Sequence, residues 1–285
     1  MPSKSTCGLF ALLVGATAAE EFNTVTSAIK CNFQPCSYGN IIFTVQPGND
    51  YSVTVSPSSL MEPVYTDGVL SWRGLEDLNK YKGEASVVVK LPKDKLKEVK
   101  NGGSSTVSVW DGFSFPTGLS VANEGSGTTQ IQATSSALDR QSLVVKNSGS
   151  GTLSADFEAG GAISQLDASN LGSGTLQLSV PASISALVAG KGSGSTYVNF
   201  PPGSSSPVTV SNFGSGEVKL CNPSSVEGKL QASGDIEVFP NTVDTSKIDH
   251  KWASGEVDTS NKQCPTFYFD NTITVKYQPP VIYSF

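Results

Sequence analysis

The tripeptide Gly-Ser-Gly begins at Gly125, Gly149, Gly172, Gly192 and Gly214, and degenerate Ala-Ser-Gly copies begin at Ala232 and Ala253. The intervals are 24, 23, 20, 22, 18 and 21 residues, so the chain repeats about every 21 residues. Gly103-Ser104-Ser105, a further 22 residues upstream of Gly125, fits as a first copy. Repetition at this period is the signature of a stacked architecture, and it constrains the fold more than any other feature of the chain.

The flanks of the tripeptide hold a strict register. The second residue after it reads Thr129, Leu153, Leu176, Thr196, Val218, Ile236, Val257, and the fourth reads Ile131, Ala155, Leu178, Val198, Leu220, Val238, Thr259. Alternation with period two is the mark of a strand with one buried face. Six residues before the tripeptide stand Leu119, Leu143, Leu166 and Val208, and four before it Val121, Val145, Ala168 and Val210. Two before it stand Asn123, Asn147, Asn170 and Asn212. Each unit therefore reads as strand, Gly-Ser-Gly bend, strand, loop. One unit has too few apolar residues to bury a face alone and must stack on its neighbours. Parallel pairing at about 4.8 Å would set like residues above like. The glycines suit a bend that needs positive φ or close approach to the next coil, and the Asn column suits a stacked amide ladder. A flexible Gly/Ser linker would not keep two apolar columns in register.

Upstream, residues 41–45, 51–55, 69–72 and 85–92 read as strands separated by turns such as Pro47-Gly48-Asn49-Asp50. Downstream, 266–269 and 272–277 read as strands that cover the last coil, because a stack with open ends exposes unpaired edges. The expected architecture is all-β: a parallel β-helix (β-solenoid) of about 21-residue repeats with capping strands at both ends. The division is 1–18 signal peptide, 19–100 N-terminal β region and cap, 101–262 solenoid repeats, 263–285 C-terminal capping strands.

The first residues carry Lys4, the short apolar run Gly8–Gly15, and Ala16-Thr17-Ala18 as a small-x-small cleavage pattern, which predicts secretion. The run is far short of the roughly 20 residues a membrane-spanning helix needs. Cleavage leaves Cys31, Cys36, Cys221 and Cys264, an even number with three pairings open. Locality favours 31–36 and 221–264. The spacing does not match a zinc ribbon.

Composition excludes several classes. A net charge of −6 with only Arg73 and Arg140 leaves no basic face for nucleic acid. One histidine, His250, rules out chemistry that needs two imidazoles. Charged residues make up 15% of the chain, below the roughly 25% of an ordinary soluble domain, as expected when every coil buries one face of each strand.

Val87-Val88-Val89-Lys90-Leu91-Pro92, Gly102-Gly103-Ser104-Ser105 with Val107-Ser108-Val109, and the serial Gly-Ser-Gly units resemble the auto-transporter adhesin head GIN domain family over roughly residues 40–260. The resemblance implies a right-handed parallel β-helix at or beyond the cell surface, without an assigned activity. Members commonly carry an acid directly after Gly-Ser-Gly; here only the last three copies do.

That position reads Thr128, Thr152, Thr175, Ser195, then Glu217, Asp235, Glu256. If stacked, the acids would lie about 5 Å apart and repel by about 1 kcal/mol in water, which Ca²⁺ with oxygen ligands would relieve. A solvated acidic stripe is the simpler reading. The hydroxyl half would form a regular row able to meet a crystalline surface, though threonine is also a common exposed strand residue. Asp111 and Asp139-Arg140 are isolated, His250 has no nucleophile elbow beside it, and Trp72, Trp110 and Trp252 suit either a sugar platform or a core. Lys90, Lys93, Lys95, Lys97 and Lys100 form a basic run interrupted by acids. The expected role is adhesion, matrix or ligand interaction with a cell-surface or matrix glycan or protein, without catalysis, cofactor or transmembrane segment. The alternatives are a polysaccharide lyase or hydrolase on the same scaffold, or a Ca²⁺- or crystalline-surface-binding module.

Overall fold

A computed structural model describes residues 20–31, 41–75, 78, 81–133, 135–157, 162–250, 253–260 and 264. The signal-peptide segment, Cys36, Trp252 and the expected C-terminal capping strands lie outside the described residues. Among those described there are two sheets of eleven strands, one sheet of two strands and no α-helix. The strands in chain order are β1 (Thr24–Lys30), β2 (Ile41–Gly48), β3 (Ser52–Ser56), β4 (Met61–Thr66), β5 (Val69–Gly74) and β6 (Ala85–Pro92). Then come β7 (Glu98–Asn101), β8 (Thr106–Val109), β9 (Leu119–Asn123), β10 (Thr128–Ala133), β11 (Ser142–Asn147) and β12 (Thr152–Phe157). The middle of the stack holds β13 (Ala162–Ile163), β14 (Gln165–Asn170), β15 (Thr175–Ser179), β16 (Ala182–Ser183), β17 (Ala186–Gly190) and β18 (Thr196–Asn199). Last are β19 (Pro207–Asn212), β20 (Val218–Cys221), β21 (Ser225–Leu230), β22 (Ile236–Phe239), β23 (Ile248–Asp249) and β24 (Val257–Thr259).

Each coil contributes one strand to each large sheet, with the bend between them. The first sheet runs β23-β21-β19-β17-β14-β11-β9-β7-β1-β5-β4 and the second runs β24-β22-β20-β18-β15-β12-β10-β8-β2-β6-β3. All neighbours pair in parallel except β3 on β6 and β4 on β5, which are antiparallel. The protein is a parallel β-solenoid.

The apolar columns read from the sequence line its interior. Ile131, Ala155, Leu178, Val198, Leu220 and Val238 pair rung to rung and are all 0% exposed. Across the core, Leu143, Val145, Leu166 and Ala168 of the first sheet are equally buried. Each large aliphatic side chain so buried stabilises the fold by about 1.5–3 kcal/mol, which is why stacking is obligatory.

The bend glycines are needed for close approach and not for positive φ. A Cβ on Gly149 would overlap the carbonyl oxygen of Gly125, and one on Gly151 that of Gly127, and the same clash recurs up the stack. None of these glycines has positive φ; Gly68, Gly112, Gly118, Gly203 and Gly228 do. The adjacent backbones are close enough for Gly151 N–H to donate to Gly125 O at 3.2 Å.

Beside the bend runs the amide ladder. Asn123, Asn147 and Asn170 each donate from Nδ2 to the carbonyl four residues on, at 3.3, 3.2 and 2.9 Å. Asn123 also donates to Asn147 Oδ1 at 3.1 Å, and Asn147 to Asn170 Oδ1 at 3.4 Å. Asn101 extends the ladder one rung, where Ser27 Oγ donates to its Oδ1 at 2.6 Å. Gly190 interrupts it: a Cβ there would come within 2.9 Å of Val218 Cγ2. These asparagines satisfy carbonyls that the tight bend turns inward, where unpaired polar groups are costly.

The N-terminal end is not sequential. The rung β1/β2 lies between β7/β8 and β5/β6, and β3 on β6 and β4 on β5 each seal one sheet edge in antiparallel pairing. Residues 24–92 therefore supply two parallel rungs as well as the cap. Trp72 is part of this end: it is 1% exposed, its Nε1 donates to Thr26 O at 2.7 Å, and its ring lies 5.4 Å from Phe43. At the other end a disulfide joins Cys221 to Cys264. Cys31 is also disulfide-bonded.

Candidate binding face

The strands that follow the bend place alternate residues outward, so the second sheet carries columns of polar side chains on its outer face. Thr106, Thr128, Thr152 and Thr175 are direct register partners. Backbone bonds from Leu176 N to Ser195 O, Thr196 N to Glu217 O, Val218 N to Asp235 O and Ile236 N to Glu256 O continue that column. The seven positions named from the sequence thus form one line, extended by Thr106. The threonines and Ser195 are half-buried, while Asp235 and Glu256 are exposed.

A second column runs parallel to the first: Ser108, Gln130, Ser154, Gln177, Tyr197, Lys219, Glu237, Asp258. Sequence reasoning did not single it out, although its signal is present as the third residue after every tripeptide. Ser154 Oγ donates to Gln177 Oε1 at 3.3 Å, linking two rungs. In these two columns the side chains are uncharged hydroxyls and amides toward the N-terminal end and charged toward the C-terminal end, while Asp156 stands beside them on β12.

The charged end is internally paired. Lys219 Nζ lies 2.8 Å from Glu217 Oε1 and 3.3 Å from Glu237 Oε2, and 5.8 Å from the centre of the Tyr197 ring. Tyr197 OH donates to Glu217 Oε2 at 3.4 Å. Partial burial pulls the Lys219 pKa down, but hydrogen bonds and attraction from Glu217 and Glu237 outweigh it and hold the ammonium above its usual value. Asp235 Oδ1 accepts from Glu256 N at 2.9 Å. Among the described residues no group of three or more His, Cys, Asp or Glu is arranged to hold a metal ion.

The remaining candidates are scattered. His250 is exposed past β23, its Nδ1 3.1 Å from Ile248 O. Asp139 and Arg140 form an exposed turn in which Arg140 has φ 54°. In the basic run, Lys100 pairs with Glu98 at 3.0 Å, while Lys93, Lys95 and Lys97 are exposed. Trp110 is half-buried. Nothing brings His250, Asp111, Asp139 and Arg140 onto one rung.

A stack of parallel rungs whose outward side chains fall in repeated columns defines the class: a β-solenoid. The chain belongs to the family described as "Putative auto-transporter adhesin, head GIN domain", whose model matches residues 37–242. Its fold is similar to a solved structure described as a putative adhesin from Bacteroides fragilis, with 13% identity, 86% of this chain and 95% of that one covered, and a TM-score of 0.51. A putative adhesin from Parabacteroides distasonis gives 14% identity, the same coverages and a TM-score of 0.53. A protein from the same organism described as a putative lipid binding protein gives 16% identity, again 86% and 95%, and 0.57. No curated protein matches. Among the described residues no helix is long and apolar enough to cross a membrane.

Proposed function

We propose that this chain is an exported, non-catalytic adhesion module that holds extended cell-surface or matrix glycan against the outer face of its second sheet. The observation that carries the reading is the register of the half-buried Thr106, Thr128, Thr152 and Thr175 beside Gln130 and Gln177, with Ser108 and Ser154 buried between them. Hydroxyl and amide groups both donate and accept, and repetition at about 4.8 Å along the stack suits a ligand that is itself a polar repeat. Family membership supports an external binding partner. Against an enzyme on the same scaffold, the acids lie on an open sheet face, and Glu217 and Glu237 are both held by Lys219.

The test is glycan-array binding combined with a reducing-sugar release assay on the full chain. Binding without release is the expected outcome. Replacing Thr128, Thr152 and Thr175 together by Val keeps shape and removes three hydroxyls, and it should abolish most of the binding while the circular dichroism stays unchanged. Release of reducing ends would overturn the non-catalytic reading, and undiminished binding by the triple variant would remove the face.

A further inference from the structure

A cavity of about 440 Å³ opens at the N-terminal end of the stack, lined by residues other than those of the threonine columns. Four segments meet there: residues 21–23 leading into β1, the turn between β2 and β3, the loop from β6 to β7, and the loop before β9. Glu21, Asn23, Tyr51, Asp94, Lys95 and Lys97 line it. Its volume falls in the range of about 300–1,000 Å³ common for small-molecule sites. The walls are tied to the core. Asn23 O accepts from Lys97 N at 2.8 Å and Glu98 N at 3.2 Å, and the Tyr51 ring meets buried Phe22 edge-on at 5.2 Å.

The chemistry of the lining narrows the ligand. Two carboxylates only accept and two ammoniums only donate, and none of these four groups forms an ion pair with another described residue. Their charges cancel, so the cavity selects no ion by net charge. Vicinal hydroxyls, each both donor and acceptor, match such a mixed lining, and the Tyr51 ring offers an apolar surface for the C–H face of a sugar. Burial, with the nearby charges of Glu21 and Asp94, pushes the Tyr51 phenol above its ordinary value.

We infer that this cavity is a saccharide site that takes one neutral pyranose, the terminal residue of a glycan. It rests on the reading that the chain binds glycans, but it uses residues separate from the threonine columns.

The experiment is a calorimetric titration of the full chain with D-glucose, D-galactose, D-mannose and N-acetyl-D-glucosamine, with D-glucuronate as a charged probe. At least one neutral sugar should saturate in the millimolar range, with an affinity that does not change between low and high salt, because screening acts on charged ligands. Asp94→Asn and Lys97→Gln, both at exposed positions, should each weaken it about tenfold, the scale of one charge-assisted hydrogen bond. Tyr51→Ala should abolish it. The Thr128, Thr152, Thr175 triple Val variant should leave it unchanged. Failure of every neutral pyranose to saturate would overturn the site. So would tighter, salt-sensitive binding of glucuronate, or indifference to both Asp94→Asn and Lys97→Gln. Saturation by a monosaccharide without array binding through the triple-threonine face would sink the proposed function's face and leave the cavity standing; the converse would do the reverse.

Discussion

Thr196 occupies a position where the core asks for an aliphatic side chain. It stands between Leu176 and Val218 in an inward column, is 0% exposed, and its hydroxyl has no hydrogen-bond partner. Thr196→Val keeps the shape and removes an unsatisfied polar group, so it should stabilise the protein by about 1 kcal/mol. A raised urea midpoint at unchanged m would show it, and a lowered midpoint would mean the hydroxyl has a partner after all. Lys219 makes the opposite case, a polar residue with two partners. Its pKa is raised in the folded state from 10.5, so its pairing with Glu217 and Glu237 stabilises the protein fully below the unfolded value and is lost as pH rises through the folded one. The Tm difference between the parent and Lys219→Gln, worth at most about 1 kcal/mol at a partly exposed site, should be constant near neutral pH and shrink above about pH 10.5. Such residues were only half legible from the sequence. The Thr and acid column showed because it follows a tripeptide that catches the eye. Tyr197 and Lys219, two positions further on, carry no tag except the alternation.

At the scale of the element, the repeat unit is set by two devices: the glycine pair that lets bends touch, and the asparagine that pays for the contact. Asn147 donates to Gly151 O, Asn170 Oδ1 and Thr175 O and accepts from Asn123. Asn147→Leu would strand two carbonyls and two asparagines inside the stack and should cost roughly 3 kcal/mol or more. Ser148→Ala, on the exposed residue beside it, should cost little, and equal losses for the two in chemical denaturation would sink the ladder's importance. The strand–bend–strand unit was readable because inward residues, glycines and asparagines all recur at fixed offsets. Whether the glycines served positive φ or close approach was not, since either needs the same residue. The gap at Gly190 was visible as a missing asparagine, but its cause, the Val218 side chain on the next rung, is a contact between coils.

Over the whole molecule, strand pairing among the described residues joins each rung to its immediate neighbours, so stability is largely a sum of rung and interface terms and failure begins at an end. The disulfide from Cys221 to Cys264 closes 43 residues and fastens the C-terminal rungs; loop-closure entropy alone puts its contribution at about 4 kcal/mol. Reduction should raise hydrogen exchange in β22 and β24 while β9 to β12 keep their protection. Uniform loss of protection along the stack would show that the rungs melt together. The periodic part of this architecture, from Gly103 onward, was written in the sequence. The N-terminal part was legible as strands but not as an order, because residues 24–92 contain no Gly-Ser-Gly to mark their coils. The cavity was invisible for the same reason: its walls come from four segments with no shared period.

The placement of β1/β2 between β5/β6 and β7/β8 also dictates how such a chain can be assembled. The β1/β2 coil gains a parallel neighbour only when residues 69–74 or 98–101 join it in one sheet, and 85–92 or 106–109 in the other. These pairings tie residues 24–109 together over long sequence separations, the kind of contact that forms slowly. With β3 and β4 antiparallel on that end, further parallel coils can add to the stack only on its other side, which gives the solenoid a direction.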